Sequence, residues 1–171
     1  MINYRRFEEV DAEQVFEIAK KSWRNTYKDI FEVKFIEQFV NHAYGPINLR
    51  NTLSIMEKGL TEFYVAEKNN ELIGFAQIGY SDHHLEKEDP KNEILLYRIY
   101  INPKYLGQKI GSKLLSFMEK WVETESRLEY GCFCHEKNEI GKQFYYYKNF
   151  KHIPERDKKG ENEIFLLKQL K

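Results

Sequence analysis

Cysteine is scarce in this chain of 171 residues: there are two, Cys132 and Cys134. A structural zinc site takes four ligands, and no second cysteine pair is present to complete one. A single residue separates the two thiols in what reads as a strand, so both point to one face, at a spacing that seldom forms a disulfide. They are expected to be reduced structural residues, and no metal is expected. Charge of one sign is lacking too. The 27 Lys and Arg balance the 27 Asp and Glu, leaving no excess for the broad basic face that duplex nucleic acid demands. No apolar run approaches the roughly 20 residues that span a bilayer. The opening residues, MINYRRFEEVDAEQ, lack the apolar core of a signal peptide. Repeats, low-complexity tracts and linkers are absent as well. The expectation is one domain over residues 1–171, cytoplasmic, monomer or homodimer, without a nucleic-acid or membrane partner. A chain of this length buries about two-thirds of its unfolded surface, enough for a core without disulfides or metal.

What the chain does have is a clear change of period. Ile2 to Phe7 alternates as a strand does. Asp11 is placed to cap a helix running to about Tyr27, with Val15, Ile18, Ala19, Ser22 and Trp23 on its apolar stripe. Phe31 to His42 carries a second helical pattern through Phe31, Phe35, Phe39 and Val40. Gly45-Pro46 breaks it, and a third helical segment covers about Ile47 to Lys58, closed by Gly59. Thr61 to Glu67 and Glu71 to Tyr80 read as strands joined by a hairpin turn. Ser81 to Lys91 is a charged loop. Further strands are predicted at Ile94 to Ile101 and Leu128 to Cys134, with a helix at Asn138 to Lys148 whose stripe of Ile140, Phe144 and Tyr147 is expected to face the core. The tail, Lys151 to Arg156 and Glu163 to Lys168, reads as a final hairpin. An antiparallel middle followed by a strand–helix–strand crossover implies an α/β (α+β) domain, with a mixed, mostly antiparallel sheet.

The most informative stretch is Glu93 to Val122. The strand Ile94 to Ile101 stops at Asn102-Pro103, because proline cannot donate a ladder hydrogen bond. From Leu106 apolar residues recur at helical spacing through Ile110, Leu114, Leu115, Met118, Trp121 and Val122. Gly107 and Gly111 fall in the first turns, where backbone amides have no partner inside the helix. That is an anion site, most often a phosphate site. A Walker A loop, G-x-x-x-x-G-K-S/T, does not fit, since Gly111 is followed by Ser112-Lys113. Nor does a dinucleotide fingerprint, G-x-G-x-x-G, because Lys109 holds any middle position.

The run Asn102-Pro103-Lys104-Tyr105-Leu106-Gly107-Gln108-Lys109-Ile110-Gly111-Ser112-Lys113-Leu114-Leu115 resembles the acetyl-CoA pyrophosphate loop of the GNAT acetyltransferases, Q/R-x-x-G-x-G/A. Gly107, Ile110, Gly111, Leu114 and Leu115 match. Leu106 stands where Gln or Arg is usual, and Lys109 where the middle glycine is usual. A second segment, Glu136 to Phe150, is similar to that family's N-x-x-A-x-x-x-Y-x-x-x-G-F, with Asn138, Gly141, Tyr145 and Phe150 in register and Asn149 in place of the last glycine. The order of elements resembles the same fold over essentially the whole chain, which implies a sheet of about six to seven strands flanked by helices.

The resemblance implies an N-acetyltransferase that moves an acetyl group from acetyl-CoA to a primary amine by direct attack. Backbone amides of Leu106, Gly107, Gln108, Lys109, Ile110, Gly111 and Ser112 would hold the pyrophosphate, with Lys104, Lys109 or Lys113 adding charge. The strand edge Ile99, Tyr100, Ile101 would pair with the pantetheine amides. Asn138 would contact the pantetheine arm, and Tyr145 would be the general acid for the departing sulfur. Some family members carry a basic glutamate on the strand before the loop. Here that position is Leu95, so the base candidate is Glu93, two residues earlier on the same face, with Tyr97, His83 and His84 nearby. Ser22 to Tyr27 is similar to a stretch of the polyamine acetyltransferases, making Trp23 and Tyr27 candidates to flank an alkyl amine, with Glu32, Glu37 or Glu62 supplying negative charge. A non-catalytic coenzyme-A-binding sensor and an unrelated nucleotide-phosphate binder are the rival readings.

Overall fold

The computed structural model describes residues 1–170. Seven strands form one sheet in the order β1-β2-β3-β4-β5-β7-β6. They are β1 (Asn3–Arg6), β2 (Thr61–Lys68), β3 (Glu71–Tyr80), β4 (Ile94–Ile101), β5 (Glu129–His135), β6 (Lys151–His152) and β7 (Glu163–Gln169). Five helices flank it: α1 (Ala12–Tyr27), α2 (Val33–Tyr44), α3 (Pro46–Glu57), α4 (Ile110–Thr124) and α5 (Glu139–Tyr147). Every neighbouring pair is antiparallel except β4 and β5, which are parallel and connected through α4. The expected mixed, mostly antiparallel sheet is what forms.

Two apolar cores lie on opposite faces. On one, Val15, Ile18, Ala19 and Trp23 of α1 pack with Ile36, Val40 and Leu49 against Phe63, Val65 and Phe75. On the other, Ile110, Leu114, Leu115, Met118 and Val122 of α4 meet Ile78, Tyr80, Ile94, Leu96, Cys132 and Cys134. Each such aliphatic side chain contributes about 1.5–3 kcal/mol when fully buried, so α4 is held by its spacing of apolar residues rather than by propensity. Two bulges re-aim the central strands. Ile73 is the extra residue between the pairs Ala66–Gly74 and Glu67–Leu72, and Tyr97 the extra residue between Gln77–Arg98 and Ile78–Leu96.

Three expectations need correction. The stripe of α2 is Ile36, Val40 and Tyr44, while Phe35 and Phe39 are exposed. They stack instead as an outer aromatic ridge, with Phe39 4.3 Å from Trp23. Asp11 stands at the N-cap of α1, but its side chain makes no cap bond to the helix. Its carboxylate accepts from Arg5 at 2.7 and 2.8 Å and from the Glu8 N–H at 2.8 Å, closing a short turn before the helix. On α5, Ile140 and Tyr147 are exposed and Tyr145 is the buried residue. Short amphipathic helices leave the choice between adjacent aromatic positions to the tertiary contacts.

Candidate active site

The strands β4 and β5 pair only at Leu95–Gly131. Beyond that point they diverge, and the backbone groups of Leu96 to Ile101 that face β5 have no strand partner. Where β4 ends, Asn102 accepts from the Lys104 N–H at 3.2 Å and turns the chain into a short 3-10 turn, Pro103–Tyr105. Leu106 is extended, Gly107 takes φ +78°, and Lys109 takes φ +61° as the residue before α4. The loop therefore keeps its left-handed turn at the position where the family pattern has glycine, with a lysine tolerating it at a cost of about 1–2 kcal/mol. Among the described residues none accepts a hydrogen bond from the N–H groups of Gly107 to Ser112. The first internal bond of the turn is Lys113 N–H to the Lys109 carbonyl, at 3.1 Å. Several converging amides at a helix N-terminus carry positive partial charge.

A cavity of about 320 Å³ runs from this loop along β4. Ile99, Tyr100 and Ile101 form one wall, Leu106, Gly107, Lys109, Ile110, Gly111 and Ser112 the end, and Asn138, Ile140, Gly141 and Phe144 of the α5 segment the opposite wall. A β-carbon at Gly111 would stand 3.4 Å from the Phe144 ring, an ordinary contact. One at Gly141 would stand 2.7 Å from Asn138 Nδ2. Asn138 needs that room, because its Oδ1 accepts from the Gly141 N–H at 2.9 Å, capping α5, while Nδ2 donates to the Tyr27 hydroxyl at 3.2 Å. Nearly all the predicted cofactor residues thus meet in one place; exposed Gln108 is outside the lining.

The remaining candidates do not line it. Tyr145 is buried one layer behind, against Phe144 and Phe150 and beside Cys132. Burial, then the neighbouring cysteines, pushes its hydroxyl well above the ordinary tyrosine pKa. Burial likewise raises Cys132 well above the ordinary thiol and Cys134 to about 12. Glu93 lies outside the cavity and forms an exposed ion pair with Arg156. Tyr97 donates to the Tyr80 carbonyl and is pushed by burial up to about 12. His83 Nε2 is 3.5 Å from the Tyr97 hydroxyl, and burial lowers its pKa. Trp23 and Tyr27 do not flank an open slot: their rings are 4.4 Å apart, and Trp23 Nε1 donates to the Tyr100 hydroxyl at 3.1 Å. Glu37 and Glu62 are engaged by Arg24 and Arg6, each at 2.7 Å.

Sequence reasoning missed what α1 brings to the cavity: Ser22, Asn25 and Thr26. Ser22 Oγ donates to the Ile101 carbonyl at 2.9 Å, tying α1 to the end of β4. Their i, i+3, i+4 spacing, polar beside an apolar stripe, was the available signal.

A slot with one unpaired strand edge, ending in unpartnered helix N-terminal amides, fits a long ligand that has amides along its arm and a diphosphate at its end. Fold and slot together define an acyltransferase that uses coenzyme A. Comparison with known proteins makes the assignment specific. Residues 12–150 match the Acetyltransferase (GNAT) family. A spermidine N(1)-acetyltransferase of Thermoplasma acidophilum is 30% identical over 151 residues, 88% of each chain. The crystal structure of PaiA N-acetyltransferase from Thermoplasma acidophilum in complex with coenzyme A matches with a TM-score of 0.86 at 27% identity, covering 99% of both chains. An acetyltransferase from Streptococcus agalactiae shares the fold at a TM-score of 0.72 and 16% identity, over 99% of this chain and 98% of that one. The chain belongs to the acetyltransferase (GNAT) family and is an acetyl-CoA-dependent N-acetyltransferase.

Proposed function

We propose that the acceptor is a small primary amine of the polyamine class, acetylated by direct attack on acetyl-CoA within a ternary complex. The observation that carries the acetyl-CoA part of this reading is the divergence of β4 from β5 above the unpartnered amides of Gly107 to Ser112. These amides hold the pyrophosphate, Lys104, Lys109 and Lys113 lie close enough in sequence to add charge, and the edge Ile99 to Ile101 pairs with the pantetheine amides. Acetyl-CoA supplies an activated thioester. The spermidine acetyltransferase relative supports the polyamine class. The reading includes a single-domain, cytoplasmic protein; among the described residues no helix is long and apolar enough to cross a membrane.

Direct attack follows from the thiols. Cys132 and Cys134 are buried and held protonated at neutral pH, and a protonated thiol is a poor nucleophile. Tyr145, held protonated by the same burial and packed directly behind Phe144 of the cavity wall, is the candidate we assign to deliver a proton to the leaving thiolate. A polyamine amine of pKa near 10.4 costs roughly 4.6 kcal/mol to neutralise at pH 7. Glu93, engaged by Arg156 away from the cavity, is poorly placed to collect that proton. We assign the base role to solvent. A free-thiol assay with acetyl-CoA and a panel of spermidine, lysine peptides, α-amino peptides and aminoglycosides tests the acceptor class. The reading expects spermidine or a related amine to give the highest kcat/KM. A preference for peptide α-amines would overturn the acceptor assignment.

A further inference from the structure

One alkylammonium is already seated on the face of the sheet that α1 to α3 share. β5 and β7 pair from Glu129–Gln169 to His135–Glu163. Cys132, Cys134 and Leu166 of this pair enter the core beneath α4. Phe133, Phe165 and Glu163 alternate with them and so belong to the opposite face, where the Phe133 and Phe165 rings lie 5.0 Å apart. The excursion between β6 and β7 folds over them. There the Lys158 ammonium stands 4.2 Å from the centre of the Phe133 ring and 3.6 Å from a Glu163 carboxylate oxygen. A carboxylate and an aromatic face are the two groups that recognise an alkylammonium, by charge and by the ring quadrupole.

A chain of contacts links the niche to the cavity wall. Glu163 is paired across the ladder with His135, whose ring meets Phe31 at 5.1 Å and Tyr27 at 6.3 Å. Tyr27 in turn holds Asn138 of the cavity wall. Lys158 is loosely held. Its side chain is 46% exposed, and its ammonium is 3.6 Å from both Glu163 and Glu161, longer than the roughly 2.7–2.9 Å of a direct charge-assisted hydrogen bond. Glu163 is more enclosed, and that burial raises its pKa while Lys158 opposes the rise. Of the carboxylates named for the acceptor, Glu37 and Glu62 are spent in close ion pairs.

We propose that Glu163 and Phe133 form the subsite for the second ammonium group of a diamine or polyamine acceptor, and that Lys158 fills it until the acceptor displaces it. The proposal rests on the amine-acetyltransferase reading and sharpens it to acceptors with two charges. A monoamine gains nothing from this subsite, whereas a diamine places its reacting end in the cleft and its other end here.

The test compares 1,4-diaminobutane and spermidine with butylamine, at saturating acetyl-CoA, in wild-type protein, Glu163→Gln and Lys158→Met. The ratio of kcat/KM for diamine to that for butylamine should fall about tenfold in Glu163→Gln and rise several-fold in Lys158→Met. An unchanged ratio in Glu163→Gln overturns the subsite while leaving amine acetylation in place. A lower ratio in Lys158→Met overturns the displacement. Calorimetric titration of 1,4-diaminobutane into the coenzyme-A-loaded protein separates the two readings if wild type releases no thiol with any amine. Binding that is lost in Glu163→Gln then supports the subsite and removes the transfer to amines, and binding equal in both proteins, or absent from wild type, overturns the subsite.

Discussion

Tyr145 and Lys109 are two positions where a local rule and the proposed function meet. Tyr145 is enclosed by Phe144, Phe150 and the two cysteines, and burial raises its pKa above the usual 10. The sign matters for the pH profile: a raised pKa keeps the hydroxyl protonated up to and past pH 10, so its proton-donating form is present at every working pH. The rate should therefore climb with pH as the amine deprotonates, with no descending limb below about pH 9.5. A fall in kcat/KM between pH 8 and 9 would remove Tyr145 from the acid role. Tyr145→Phe should lower kcat by about a hundredfold with the KM for acetyl-CoA little changed, and an unchanged kcat would likewise exclude it. Lys109 holds a left-handed conformation that a pattern search scores as a mismatch, although its amide is placed where a glycine's would be.

At the scale of elements, the join between β4 and α4 and the cap of α5 decide the site. Gly111→Glu puts a carboxylate among the amides that should meet a diphosphate; we expect calorimetry to show coenzyme A binding lost, with far-ultraviolet circular dichroism unchanged. Retained affinity would place the pyrophosphate elsewhere. Asn138→Ala removes the α5 cap and should lower stability by about 1 kcal/mol, measured by urea unfolding. It should also raise the KM for acetyl-CoA several-fold, because the wall loses its tie to Tyr27. Most of this was legible in advance. The alternation of β2, the apolar spacing of α4 and the break at Asn102-Pro103 are local signals that the tertiary structure preserves. The α2 stripe was not legible, since Phe31, Phe35, Phe39 and Ile36, Val40 both satisfy helical spacing, and only the position of α1 chooses between them. Glu93 and the Trp23–Tyr27 pair failed to converge on the cavity for a similar reason. Side-chain partners such as Arg156 and Tyr100 come from distant segments that periodicity does not see. The lysine niche at Phe133 depends on a ten-residue excursion whose path no local pattern encodes.

For the whole molecule, the sheet divides its labour between two cores and one opening. The helices α1 to α3 and α4 with α5 cover opposite faces, and the single parallel pairing between β4 and β5 lets the sheet part without exposing either core. That parting leaves the slot along β4 open, and attack in a ternary complex requires the acceptor to reach the thioester while coenzyme A is bound. Burial raises the pKa of both cysteines, which argues against a covalent thiol route. The most direct measurement is thiol release at varied acetyl-CoA and varied spermidine, with intact-mass analysis of protein incubated with acetyl-CoA alone. Double-reciprocal lines should intersect, no thiol should appear before the amine is added, and the protein mass should not change. Parallel lines, with an early burst of thiol and one acetyl group gained by the protein, would contradict the account.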